Sequence, residues 1–273
     1  MAHPKGESPV VGLALGGGAV RGLAHVGVLE TLIRAETPIQ VVAGCSVGAI
    51  VGALYCAAFP IERWRELRPA LRWRRMIQPV RPESGLFSLD KLGRWLTMMI
   101  GDLEFADLHK PLAVVTADAG SGERVVLQEG RLAPAVQANC SIPGILTPVE
   151  IEGRLLADGG IVENLPVATA QRLGAAYVVA VDVFEPTYRR RLGPLGPGLA
   201  AIETLVHHAG DQGKPADLLV EPALRDQSFV RFSRSEELAR RGRTAAEAAL
   251  PQLRADLGLG PPGLPEPIES GRS

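Results

Sequence analysis

The stretch that most limits how this chain can fold is Gly44-Cys45-Ser46-Val47-Gly48. Ahead of it runs Ile39-Gln40-Val41-Val42-Ala43, rich in branched residues and read as a buried strand. Behind it runs Ala49-Ile50-Val51-Gly52-Ala53-Leu54-Tyr55-Cys56-Ala57-Ala58, long and Ala-rich enough for a helix. Strand, G-x-S-x-G, helix is the context of a nucleophile elbow. The turn is so sharp that the serine takes a strained backbone position and lifts its hydroxyl above the sheet. Gly44 and Gly48 carry no side chains, so strand and helix can crowd against it. The hydroxyl then lies near a helix N-terminus, whose dipole favours developing negative charge. Ser46 is the candidate nucleophile; the alternative is a plain βα turn. In an elbow the Cys45 side chain points away from that of Ser46, which argues against a thiol nucleophile.

A buried strand feeding an apolar helix needs an aliphatic core. Of 273 residues 46% are hydrophobic but only 4% aromatic, so the core is Leu, Val, Ile and Ala. That mix suits parallel strands covered by helices better than an all-β sandwich. A net charge of -1 gives no global field for nucleic acid. Cys45, Cys56 and Cys140 are too few and too scattered for a disulfide framework or a zinc site, so no metal is expected. Met1–Pro9 is polar and lacks an apolar signal region, and no apolar run reaches membrane-span length. The expected compartment is the cytoplasm. One domain is predicted over 10–255, with flexible tails at 1–9 and 258–273.

The first strand is predicted over Val10–Leu15. It feeds Gly16-Gly17-Gly18-Ala19-Val20-Arg21-Gly22 and then a helix from about Leu23 to Ala35. A dinucleotide fingerprint needs G-x-G-x-x-G, but from Gly16 the last position is Arg21, and from Gly17 the second is Ala19. A Walker loop would need Gly-Lys-Ser/Thr, which is missing here. What remains is a run of N–H groups able to converge on an anion, with an arginine beside them. Attack by a serine creates an oxyanion, and each preorganised donor stabilises it by about 3–4 kcal/mol. Both turns follow strand C-termini, so a parallel sheet brings them to one edge.

Pro60 to Pro82 carries Arg63, Arg65, Arg68, Arg72, Arg74, Arg75 and Arg81 with Trp64 and Trp73 interleaved. It reads as a solvated amphipathic helix, or as a patch for anionic lipid headgroups and hence for peripheral membrane association. Ser88 is the expected N-cap of a helix over Leu89–Ile100. Strands are predicted at Leu112–Ala117 and Arg124–Leu127, and a short helix at Arg131–Ala138. A hairpin is expected over Thr147–Ala157 around Glu152-Gly153. Asp158-Gly159-Gly160 follows it and, judged alone, is a turn. Further on come a helix at Pro166–Leu173, a buried strand at Tyr177–Val183 and a loop at Thr187–Pro197. A helix at Leu199–Gly210, able to act as a cover, precedes a strand at Asp217–Val220. A charged helix at Ser235–Leu253 has Gly242 as its weak point.

Serine needs a proton acceptor. His3 is in the tail, and His25 sits one turn into the first helix, where packing or capping explains it. His109 precedes a strand. His207 or His208 would give the chain order Ser, Asp, His, but they fall in a helix, and too few strands precede the elbow for an α/β-hydrolase. Asp158 acting directly is chemically sufficient, because partial burial raises a carboxyl toward the working range.

Gly17-Gly18-Ala19-Val20-Arg21-Gly22, Gly44-Cys45-Ser46-Val47-Gly48 and Asp158-Gly159-Gly160, in this order, resemble the patatin-like phospholipases. Leu13–Leu29, Ser141–Pro148 and Gly153–Pro166 are similar to the bacterial branch related to the neuropathy target esterase catalytic domain. The similarity covers most of Val10–Val183, and the helix after Phe232-Ser233-Arg234 shares it. The resemblance implies an α/β fold, a three-layer α/β/α sandwich with a mainly parallel sheet. It implies a lipid-acyl hydrolase acting on phospholipids or lysophospholipids without metal or cofactor. In that reading Ser46 attacks the ester and Asp158 is the base. Gly17 and Gly18 give oxyanion N–H groups, and Arg21 steadies the loop or a substrate phosphate. Ala19 stands where the family loop often has a third glycine, and Gly16 precedes instead. Ile142, Ile145 and Leu146 are the expected apolar lining. The rivals are a His-dependent esterase or thioesterase and a non-catalytic regulatory module on the same fold.

Overall fold

The computed structural model describes residues 9–64, 73–80, 85–184, 196–209, 215–225, 227 and 235–260. Its strands, in chain order, are β1 (Val11–Leu15), β2 (Ile39–Gly44), β3 (Gln78–Pro79), β4 (Phe87–Ser88) and β5 (Leu112–Asp118). There follow β6 (Arg124–Leu127), β7 (Val149–Ile151), β8 (Arg154–Asp158), β9 (Tyr177–Val181) and β10 (Leu218–Val220). The main sheet has the order β10-β9-β1-β2-β5-β8-β7, with β6 also paired to β5. From β10 to β5 every pairing is parallel; β6, β8 and β7 add antiparallel pairings beyond β5. Strands β1 and β9 are buried along their whole length, as parallel strands covered on both faces must be.

The helices are α1 (Ala24–Arg34), α2 (Val47–Cys56), α3 (Trp73–Met76), α4 (Asp90–Ile100), α5 (Leu132–Asn139), α6 (Gly160–Glu163), α7 (Val167–Arg172), α8 (Gly196–His208) and α9 (Ser235–Leu257). Alternation along β1 sorts the two faces. Val11, Leu13 and Leu15 face a thick core shared with Leu29, Leu54, Val136 and Leu238 of α1, α2, α5 and α9. Ala14 faces a thinner core with Ala43, Val178, Ala180 and Ala170 of α7. Small strand residues let that layer approach closely: a Cβ on Gly12 would lie 2.5 Å from the Ala175 Cβ. The architecture is the three-layer α/β/α sandwich expected from the sequence.

Several local readings differ in detail. Helix α4 starts at Asp90, and the Ser88 hydroxyl accepts from the Asp90 N–H at 3.1 Å, so Ser88 serves the helix start while Leu89 holds the cap position. The hairpin turn at Glu152 (φ 53°) and Gly153 (φ 75°) has both central residues left-handed, the twist that suits a two-residue connection. Trp64 belongs to the core: it is buried and its indole N–H donates to Phe59 O at 3.1 Å, which removes it from any interfacial patch. Arg63 lies over the Phe59 ring at 5.1 Å. Arg65, Arg68, Arg72 and Arg81, the 187–195 part of the expected loop, and most of both expected tails lie outside the described residues. Phe232, Ser233 and Arg234 do too. Gly242 is a contact point: a Cβ there would run into the Ala24 carbonyl, as one on Gly27 would run into that of Ala239. Helices α1 and α9 thus cross backbone to backbone. No helix among the described residues is long and apolar enough to cross a membrane.

Candidate active site

Register carries the three motifs to one rim. Leu15 of β1 pairs with Gly44 of β2, and Gly44 pairs with Val114 of β5. Strand β8 runs antiparallel and stops with Asp158 opposite Thr116, two residues past Val114. Ser46, two residues past Gly44, is at the same level. The elbow is held down by Cys45 N–H donating to Leu15 O at 3.0 Å. Gly48 is obligatory there, because a Cβ would strike the Leu15 carbonyl. Ser46 has φ 51° and ψ −125°, a left-handed region that L-residues avoid, and sits at the N-cap of α2. Its hydroxyl makes no cap bond to the helix. It donates instead to Asp158 Oδ2 at 2.8 Å.

Asp158 is fixed from its own backbone outward. Its N–H donates to Ser141 O at 2.9 Å, and its Oδ1 accepts the Gly160 N–H at 2.8 Å. Gly159 packs where a Cβ would hit the Val115 carbonyl, which tucks the turn against β5. Burial raises the Asp158 carboxyl from 3.8 to about 6; the bonds from Gly160 and Ser46 pull the other way. Cys45 Sγ lies 4.0 Å from Asp158 Oδ1. The Cys45 and Cys140 thiols are both pushed well above their ordinary value, first by burial and then by the Asp158 charge. They are neutral thiols under the carboxylate.

The glycine loop approaches from β1. Gly17 abuts the nucleophile, since its Cβ would sit 3.3 Å from that of Ser46. Here the structure differs from the expectation: the Gly17 N–H donates to Asn164 O at 3.1 Å, and the Gly16 N–H to Val181 O at 3.1 Å. Among the described residues, the N–H groups of Gly18, Ala19 and Val47 have no acceptor. The main-chain donors near Ser46 without an acceptor are therefore those of Gly18 and Ala19, together with Val47 at the first position of α2. Ala19 holds φ 50°, a conformation in which glycine would be unstrained. Gly22 packs against the Val47 side chain. Arg21 is buried and donates through Nε and Nη2 to Gln227 O at 3.1 and 2.9 Å, so it ties the loop to the segment after β10.

A cleft opens beside Ser46, lined by Val20, Leu23, Ile50, Met76, Leu89 and Leu92. These come from the glycine loop, α2, α3 and the start of α4, while the Ile142, Ile145 and Leu146 of the sequence reading are not among the lining residues. Of the histidines, His109 is exposed ahead of β5, at the strand's far end. His207 and His208 are exposed on the last turn of α8, their rings 5.2 Å apart. His25 is fully buried, with Nε2 2.8 Å from Gly16 O. Burial lowers it to about 4, which unfits it as a base near neutrality. His3 lies outside the described residues. The sequence reading missed Asn164, which is buried between the glycine loop and the Asp158-Gly159-Gly160 turn. Its main-chain carbonyl does the work, and a main-chain acceptor leaves no mark on residue type.

The chain is similar to known proteins in sequence and in fold. The family profile described as patatin-like phospholipase matches residues 13–170, more than half of the chain. An uncharacterized NTE family protein of Mycobacterium tuberculosis is 35% identical over 180 residues, covering 65% of this chain and 50% of that protein. The neuropathy target esterase sws of Drosophila melanogaster is 33% identical over 181 residues, covering 63% of this chain and 13% of that protein. The chain thus matches half or less of these relatives' own lengths. The crystal structure of VipD from Legionella pneumophila superposes with a TM-score of 0.56 over 92% of this chain and 67% of that one; at 15% identity the likeness is one of fold. An elbow, a glycine loop and an Asp-Gly-Gly turn at one sheet edge, within a stretch that the profile spans, make this chain a member of the patatin-like phospholipase family.

Proposed function

We propose that the protein is a serine lipid-acyl hydrolase that cleaves fatty acyl esters of phospholipids or lysophospholipids through a Ser46–Asp158 dyad. The observation that carries the reading is the 2.8 Å hydrogen bond from Ser46 Oγ to Asp158 Oδ2, at a carboxyl raised to about 6. A base poised there is ionised at neutral pH and still basic enough to take a hydroxyl proton in the transition state. Ser46 Oγ attacks the acyl carbonyl as its proton passes to Asp158. The resulting oxyanion meets the N–H groups of Gly18, Ala19 and Val47. On collapse the alcohol leaves with the proton from Asp158. Asp158 then activates water, which releases the fatty acid and restores Ser46. The apolar cleft beside Ser46 suits an acyl chain, and none of its six named lining side chains carries a charge. A substrate of that kind resides in a membrane or micelle, so the working enzyme meets a lipid surface. The His-dependent alternative is disfavoured by His25, whose Nε2 is committed to Gly16 O.

The test is acyl-chain release from a panel of phospholipids and lysophospholipids. Ser46→Ala and Asp158→Asn are expected to lose about 10³-fold or more in kcat while remaining folded. A fluorophosphonate probe should label Ser46 in the wild-type protein. Folded protein that neither hydrolyses these lipids nor takes the label would leave a regulatory binding module as the reading.

A further inference from the structure

The peptide unit that joins Gly16 to Gly17 is held at both ends. Its carbonyl oxygen lies 2.8 Å from His25 Nε2, and its N–H donates to Asn164 O at 3.1 Å. A trans peptide is planar, with C=O and N–H pointing opposite ways, so two such bonds fix the orientation of the whole plane. The plane needs fixing. Gly16, Gly17 and Gly18 form a run without side chains, and glycine populates both signs of φ about equally. Rotation about the bonds on either side of this unit would shift the path of the chain that carries the Gly18 and Ala19 N–H groups.

His25 itself carries the mark of this task. A carbonyl oxygen only accepts, so Nε2 must hold the proton and Nδ1 must be bare. That Nδ1 is buried and has no hydrogen-bond partner among the described residues. An unsatisfied acceptor in the core is unfavourable, and an apolar side chain at this point of α1 would avoid it. What an apolar side chain lacks is the donor aimed at Gly16 O.

We propose that His25 is a positioning residue for the oxyanion hole: with the Asn164 main-chain carbonyl it clamps the Gly16–Gly17 peptide and so aims the Gly18 and Ala19 N–H groups at the site. This rests on the reading of those two groups as oxyanion donors. His25 touches neither substrate nor base; it acts through the loop.

The test compares His25→Leu, which removes the donor, with His25→Gln, whose amide N–H reaches about as far as Nε2, and His25→Asn, whose amide stops short. Each is made in the full chain. The rate of fluorophosphonate labelling, kcat, KM and hydrogen exchange at the Gly17 amide are followed. In His25→Leu and His25→Asn the labelling rate and kcat should fall about 10²-fold, the scale of a lost oxyanion donor. KM should stay within about twofold and Gly17 exchange should speed up. His25→Gln should recover most of the loss in each. Full activity in folded His25→Leu overturns the proposal. So does a His25→Gln protein as impaired as His25→Asn, which also decides the matter where His25→Leu fails to fold. A wild-type protein that takes no label and turns over no ester would sink the hydrolase reading instead. Gly17 exchange still judges the clamp in that case, and equal exchange in all four proteins overturns it.

Discussion

Ser46 and Asp158 divide one problem between them. In the proposed dyad the serine accepts backbone strain, at φ 51°, and holds its hydroxyl against the carboxylate; the aspartate accepts burial, which lifts it from 3.8 to about 6. Burial would lift it further without the bonds from Gly160 and Ser46, which favour the ionised form. A general base works only when ionised, so activity should be lost as pH falls through about 6. The kcat/KM profile is expected to drop about tenfold per pH unit below that point and to level off above it. Asp158→Asn should remove the limb together with the activity. A profile flat down to about pH 4, where an ordinary carboxylate titrates, would mean that Asp158 is not the group that takes the proton.

Elements defined by local pattern were legible in the sequence: the branched runs of β1, β2, β5 and β9, and the glycine-bounded turns after them, appear within a residue or two of where they were read. The elbow at Ser46 was legible for the same reason, as a short motif at a strand end, whereas Asp158-Gly159-Gly160 judged alone read as a turn; the structure sets the two side chains 2.8 Å apart. What escaped depends on contacts distant in sequence. The Gly17 N–H, expected to face an oxyanion, is taken by a carbonyl at Asn164. The cleft lining came from α2, α3 and α4 rather than from the segment around Ile142. Gly242 looked like the weak point of a charged helix, yet it is where α9 meets the Ala24 carbonyl of α1. Helix propensity alone says that Gly242→Ala should stabilise α9 by up to about 1 kcal/mol. The crossing says the reverse: the helices must separate, and a loss of about 2–3 kcal/mol is expected. Gly260→Ala, at a position where a Cβ would meet nothing within 4 Å, is the control. Chemical denaturation separates the two, and a stabilised Gly242→Ala would dissolve the tight crossing.

At the scale of the whole molecule, two buried groups with shifts in the acid range, His25 and Asp158, pull stability in opposite directions with pH. His25 falls from 6.5 to about 4, first through burial, so between those values the unfolded chain takes up a proton that the native state refuses. Its contribution to stability is complete above 6.5 and is lost as pH falls toward 4, by about 3 kcal/mol in all. Asp158 rises from 3.8 to about 6, so between those values the native state keeps a proton that the unfolded chain has released. Its contribution runs the other way: stability declines as pH rises through that window, again by about 3 kcal/mol. The windows overlap from about 4 to about 6, and there the two slopes nearly cancel. Within that overlap the cancellation hides both from a stability measurement on the wild-type protein. Single substitutions should expose them. Asp158→Asn is expected to be more stable than wild type near neutral pH, the usual trade between a poised catalytic group and stability, and to lose that advantage on acidification. His25→Gln should move oppositely, gaining on the wild type as pH falls from 6.5 toward 4. Denaturation midpoints for the three proteins across this range decide it. Curves that stay parallel would mean that neither group changes its proton affinity on folding, and that the carboxylate beside Ser46 owes nothing to its burial.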